Sequence, residues 1–182
     1  MKKTNFKNFL KLSKGLTLTE ILVTIAIIII LSGLVIASSG AGQSQLALSR
    51  SANKLAQDIR RAQEMAMSAK ECPTGTGCAG QIPPGYGIYL HQGDKNYLLY
   101  ADTNPNQIYG GGDTDIETIN FEKGIFIKDV GPANVSINFK PPDPKINITG
   151  VGNEVLIEIA LMADSTRTKT IRVNKAGLID VE

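Results

Sequence analysis

Lys14-Gly15-Leu16-Thr17-Leu18-Thr19-Glu20, followed by ILVTIAIIIILSGLVIA over residues 21–37, decides how this chain is organised. A single carboxylate stands at the edge of a long apolar run. As a helix, residues 16–37 extend about 33 Å, close to the thickness of the bilayer's hydrocarbon. An ionisable group at that depth is costly and marks function by default. Glu20 needs a cationic partner, and the run itself holds none. The nearest candidate is the amine made by cutting the chain after Gly15.

Two plainer readings compete. An ordinary secretory signal would be cut at Val35-Ile36-Ala37, before Ser38. Its apolar region is usually only about 7–15 residues, however, and a glutamate serves no purpose there. A simple signal anchor fits the length but also leaves Glu20 without a role. The leader carries Lys2, Lys3, Lys7, Lys11 and Lys14, which under any of these readings hold the N-terminus in the cytoplasm.

The combination of lysine-rich leader, Gly15, Glu20 and apolar run resembles the prepilin signature of type IV pilins and type II secretion pseudopilins. The resemblance implies that a prepilin peptidase cleaves after Gly15 and that the new Leu16 amine is methylated. It also implies that Glu20 pairs with the N-terminus of a neighbouring subunit. Leu16 stands where relatives usually carry an aromatic residue or methionine. Thr19 stands where a bulky apolar residue is commoner. Neither change removes a needed group. The implied partners are other pilin or pseudopilin subunits, the peptidase, an inner-membrane assembly platform and membrane lipid. The implied location is a single pass of the inner membrane with the head outside, then a pilus or pseudopilus.

The net charge of +2 over 182 residues conceals an asymmetry. Without the five leader lysines, 14 basic residues face 17 acidic ones. From Glu71 onward there are 9 basic and 14 acidic residues. An acidic head is a poor binder of nucleic-acid phosphates, so nucleic acid is not an expected partner.

Residues 21–49 carry no charge. Beyond the small residues 38–42, helical periodicity returns. Leu48, Ala52, Leu55, Ile59, Ala62, Ala66 and Ala69 alternate steps of four and three, one continuous apolar stripe. A coiled-coil seam competes, but the stripe lasts only about three heptads; covering a sheet of the same chain is the expectation. The helix is expected to stop near Lys70-Glu71, because Cys72-Pro73-Thr74-Gly75 cannot continue it. Residues 55–70, LAQDIRRAQEMAMSAK, also resemble the spine of minor pilins of the GspH/FimT family.

Strands are expected over 86–91 and 97–102, as a hairpin about Gly93-Asp94-Lys95, and over 134–139, 155–162, 168–173 and 178–181. Asp164-Ser165-Thr166 is the expected turn between 155–162 and 168–173. Residues 104–115 and 140–145 read as loops. The expected fold class is α+β and pilin-like: a long N-terminal helix, half membrane-embedded and half amphipathic, packed on an antiparallel β-sheet head. The expected divisions are a leader 1–15, an anchor helix 16–37, an amphipathic helix 38–71 and a strand-rich head 72–182.

Cys72 and Cys78 enclose a five-residue loop, and an exported head permits a disulfide between them. Asp102, Asn104, Asn106 and Asp113 are spaced like the start of a calcium loop, which makes calcium the one cofactor considered. Gln107 stands where the sharp-turn glycine belongs, and Asp113 stands where a bidentate glutamate belongs. Solvated turns explain such residues equally well. His91 has no second ligand or nucleophile motif nearby in sequence. Arg167, Lys169, Arg172 and Lys175 form the one basic cluster of the head, but the chain ends in the acidic Leu178-Ile179-Asp180-Val181-Glu182.

No nucleotide-binding or hydrolase motif occurs, so the chain is not expected to be an enzyme. The reading is a structural, minor subunit of a type IV pilus or type II secretion pseudopilus. The alternatives are a monomeric signal-anchored extracytoplasmic binding protein, for calcium or carbohydrate, and a DNA-uptake minor pilin.

Overall fold

The structure is a computed structural model that describes residues 17–141 and 146–182, apart from the side chains of 35–41. Gly15, Leu16 and the leader lie outside the described residues, as does most of the expected loop 140–145. The chain divides into two compact units, Met1–Gly42 and Gln43–Glu182.

Helix α1 is assigned over Leu18–Met67 and crosses that boundary. Its described side chains fall into two lengths. Residues 18–34, 17 in all, are exposed throughout, with Leu18 at 79% and Ile29 at 66%. The length within the second unit buries Leu48, Ala52, Leu55, Ala56, Ile59, Ala62, Met65 and Ala66. The stripe read from periodicity is therefore a core face, widened by Ala56 and Met65. Ala69 is outside it and exposed.

The second unit is mainly antiparallel β. Strands β1 (Gly85–His91), β2 (Asn96–Asp102), β3 (Thr114–Asn120), β5 (Asn134–Phe139) and β6 (Ile146–Ile148) form a five-stranded sheet in the order β3-β2-β1-β5-β6. Strands β4 (Ile125–Asp129), β7 (Glu154–Leu161), β8 (Asp164–Asn174) and β9 (Ile179–Val181) form a second sheet in the order β4-β7-β8-β9. The expected α+β, pilin-like class is thus corrected. There is no long N-terminal helix packed on a sheet head. The core is a two-sheet body to which a short helical length contributes one face. Periodicity shows which residues of a helix are apolar, but not how much of that helix finds protein to bury against.

Burial of this helical face joins the two sheets. Leu55, Ile59, Ile88, Leu99, Ile137, Ile157 and Ile171 belong to one continuous core. Polar bonds fix the helix on both sides. Tyr97 on β2 donates to Asp58 Oδ2 at 2.5 Å. Arg61 donates to Glu117 on β3 at 2.9 Å. Arg60 donates to the Ile179 carbonyl on β9 at 2.8 Å. The sheets are also joined at the β1–β2 turn, where Gly93 and Asp94 exchange backbone bonds with Ile127 of β4.

Three strands were not expected. β3 carries five polar residues in TDIETIN and buries only Ile119, so it shows little apolar signal. β4 and β6 are short. The turn after β7 lies at Met162-Ala163, and β8 begins at Asp164, where the expected turn would have begun.

The helix ends a little before Lys70. The Ala69 N–H bonds the Ala66 carbonyl and the Lys70 N–H bonds the Met65 carbonyl, both at 3.0 Å. That is a Schellman end, with Ala69 at φ 48° in the position that favours glycine.

Two outcomes are expected in melting experiments on the full chain in detergent, followed by circular dichroism. Leu55→Ala or Ile59→Ala costs about 2–5 kcal/mol, whereas Glu64→Ala on the exposed face costs under about 0.5 kcal/mol. Ala69→Gly stabilises by about 1 kcal/mol, because it relieves the left-handed backbone.

Candidate functional site

The outer face of the five-stranded sheet is built around two glycines of its central strand. Gly85 lies opposite Asp102, and Gly87 lies opposite Tyr100 on one side and Asn138 on the other. With no side chain between them, residues of β2 and β5 meet across β1. A Cβ on Gly87 would stand 2.6 Å from the Tyr100 ring, and one on Gly85 would stand 2.8 Å from the Phe139 carbonyl. Glycine inside a strand commonly marks such a close approach.

Asn138 Nδ2 donates to Tyr100 Oη at 3.2 Å and to Asp102 Oδ2 at 3.3 Å. Asp102 and Asn138 are 1% and 0% exposed. Asp102 Oδ1 and Asn138 Oδ1 have no hydrogen-bond partner among the described residues. Burial pushes the Asp102 carboxyl above its ordinary value, against the bonds from Gln107 and Asn138 that favour the anion. Burial likewise raises Tyr100.

The segment 103–113 lies over this cluster as a strap. Its Gln107 N–H donates to Asp102 Oδ2 at 3.0 Å, and Asn147 of β6 donates to the Gln107 carbonyl at 3.0 Å. The Tyr109 N–H donates to Ser136 Oγ at 3.1 Å. The Tyr109 ring lies 4.5 Å from Tyr89 and 5.1 Å from Tyr100, and its hydroxyl donates to Asp115 at 3.0 Å. Tyr109 is pushed up to about 12, first by burial and then by this bond to a carboxylate.

Of the calcium-loop candidates, Asn104, Asn106 and Asp113 are parts of the strap, whereas Asp102 ends β2. Asn104 Oδ1 accepts from the Asn106 N–H and Asn106 Oδ1 from the Ile108 N–H. Asp113 accepts from the Thr103 and Gly110 N–H groups. Thr103 Oγ1 also donates to the Gly112 carbonyl. These oxygens close the loop upon itself, as short polar side chains do in turns. Among the described residues, no three His, Cys, Asp or Glu side chains converge as a metal site.

A shallow groove of about 180 Å³ opens beside the strap, lined by Tyr89, His91, Asp94, Asn96, Tyr109 and Asp115 among others. His91 Nδ1 stands 3.6 Å from Asp94 Oδ1. Sequence reading missed Tyr89, Tyr100, Tyr109 and Asn138 as a group. The available signal was Gly85-Tyr86-Gly87 within a strand.

The other expected positions are dispersed. Cys72 and Cys78 are joined in a disulfide, both buried, between α1 and β1. Closing so small a loop stabilises by about 2 kcal/mol in the chain-entropy picture. In the basic cluster Arg172 pairs with Glu182 at 3.1 Å and Arg167 with Asp164 at 3.5 Å, so much of its charge is locally neutralised.

Glu20 is exposed in the first turn of α1. Thr17 Oγ1 accepts from the Glu20 N–H at 3.3 Å. Thr17 and Glu20 therefore have the spacing of a capping box, a local role that sequence reading did not weigh. Thr24 Oγ1 donates back to the Ile21 carbonyl at 2.8 Å, which satisfies a hydroxyl within the apolar run. Among the described residues, no helix is long and apolar enough to cross a membrane; residues 18–34 give about 25 Å of helix.

Comparison of the chain with protein-family models, with curated proteins and with solved structures finds no match.

The buried carboxyl sets a pH dependence. A folded value raised above the unfolded one means that Asp102's contribution to stability is fully present below the ordinary value of 3.8. It is lost as pH rises through the higher folded value. Asp102→Asn keeps an acceptor for Gln107 and removes the buried charge. The variant should therefore melt higher than wild type at pH 7, with the gain shrinking toward pH 3. An equal difference at both pH values would show that Asp102 is not the titrating group.

Proposed function

We propose that this chain is a structural subunit of a type IV pilus or type II secretion pseudopilus, held in the inner membrane before assembly. The observation that carries the reading is the register of Gly15, Glu20 and the apolar run. Its support from the structure is the exposure of every side chain over residues 17–34. So large an apolar surface requires an apolar surround, and lipid and the helices of like subunits both supply one. In this reading a prepilin peptidase cuts after Gly15, and the Leu16 amine of one subunit meets Glu20 of the next.

The chain's role is then mechanical, and the head is what the filament displays. The disulfide suits an exported head, because such bonds persist outside the cytoplasm.

Mass spectrometry of the mature N-terminal peptide tests processing. The expected start is a methylated Leu16, and a start at Ser38 would mean an ordinary secretory signal. Substitutions at Glu20 separate pairing from capping. Both Glu20→Ala and Glu20→Gln should insert in the membrane yet enter filaments at least roughly tenfold less than wild type, since each removes a charge from a poorly solvated pair. Glutamine preserves a capping box. If Glu20→Gln assembles normally and Glu20→Ala does not, the residue only caps α1.

A further inference from the structure

We propose that the groove between Tyr89, Tyr109 and the β1–β2 turn binds a saccharide, one pyranose ring deep, on the outer face of the five-stranded sheet. The site lies wholly in the second unit and does not depend on how the chain is anchored or assembled.

The first argument is the preorganised aromatic surface. Tyr109 is fixed by the ring contacts with Tyr89 and Tyr100, by its N–H on Ser136 and by its hydroxyl on Asp115. Packing alone would bury such a cluster, as it buries Tyr100 at 0%. Tyr89 and Tyr109 instead remain half-buried at the edge of an open groove. Rigid tyrosines offer flat apolar area at little cost in entropy. The C–H face of a sugar ring is a flat apolar partner of similar size.

The second argument is the polar rim. His91, Asp94, Asn96, Asp115 and Thr118 supply both donors and acceptors around the rings. The exposed His91 and Asp94 face each other at 3.6 Å, and Asp115 is engaged by Tyr109. A rim that offers both donors and acceptors suits neighbouring hydroxyls, each of which gives one hydrogen bond and takes another. The volume of about 180 Å³ is small for a drug-sized molecule but admits a single sugar ring.

The test is saturation-transfer NMR on the full chain in deuterated detergent, with glucose, galactose, mannose and N-acetylglucosamine as probes and glycerol as the control. At least one sugar should receive transfer to its ring C–H protons above the glycerol level. Tyr109→Ala should reduce that transfer by roughly fivefold or more, the size of one aromatic contact. Tyr109→Phe, which keeps the ring, should retain most of it. Should Tyr109→Ala fail to fold, His91→Ala at an exposed residue and Asn96→Ala at a half-buried one carry the test, and each should weaken transfer on a folded sheet. Transfer no greater than to glycerol, or unchanged in all of these variants, overturns the proposal. So does selective binding of free arginine or lysine with no sugar bound, which would make the groove a docking point for a cationic side chain.

Discussion

The body of the protein depends on one helical face being small enough to lie against two sheets at once. Ala52, Ala56, Ala62 and Ala66 let the sheets approach, and Leu48, Leu55 and Ile59 fill the space between them. Each sheet alone would expose one apolar face to water. The helix removes both faces, and Arg60 and Arg61 fasten it to opposite sheets. Larger residues at the alanine positions would hold the sheets apart, since overpacked interiors strain rather than stabilise.

A second constraint acts on the far side of the five-stranded sheet. Two glycines in β1 leave a trench, and side chains of β2 and β5 fill it. The strap then covers what would otherwise be a polar outer face. The result is a small polar core with strained electrostatics. Among the described residues, one oxygen of a carboxyl and one amide oxygen lie buried without partners, and a tyrosine ring stands directly over glycine. Such groups cost stability, so their neighbourhood is where a function of the head is best sought. The Tyr89–Tyr109 groove lies at the rim of this cluster.

The sequence by itself determined the features that depend on local pattern. The charge-free run after Glu20, the three-four stripe, the β1–β2 hairpin, the alternation of β5 and the short cysteine loop each follow from residues close in the chain. Their physics is periodicity, turn chemistry and closure of small loops. What only the tertiary structure decided depends on residues far apart. How much of α1 is buried was settled by where the sheets end, so the expected long helix packed on a sheet head did not hold. β3 was illegible because it is a polar edge strand whose order comes from pairing with β2. Asp102, Asn104, Asn106 and Asp113 read as ligands because their spacing is local, whereas their oxygens accept from backbone amides brought round by the strap's closure and, for Asp102, also from the Asn138 side chain. Tyr100 and Asn138, 38 positions apart, become neighbours only when β1 passes between them without side chains. That meeting requires three strands to be paired in register, which no local pattern encodes.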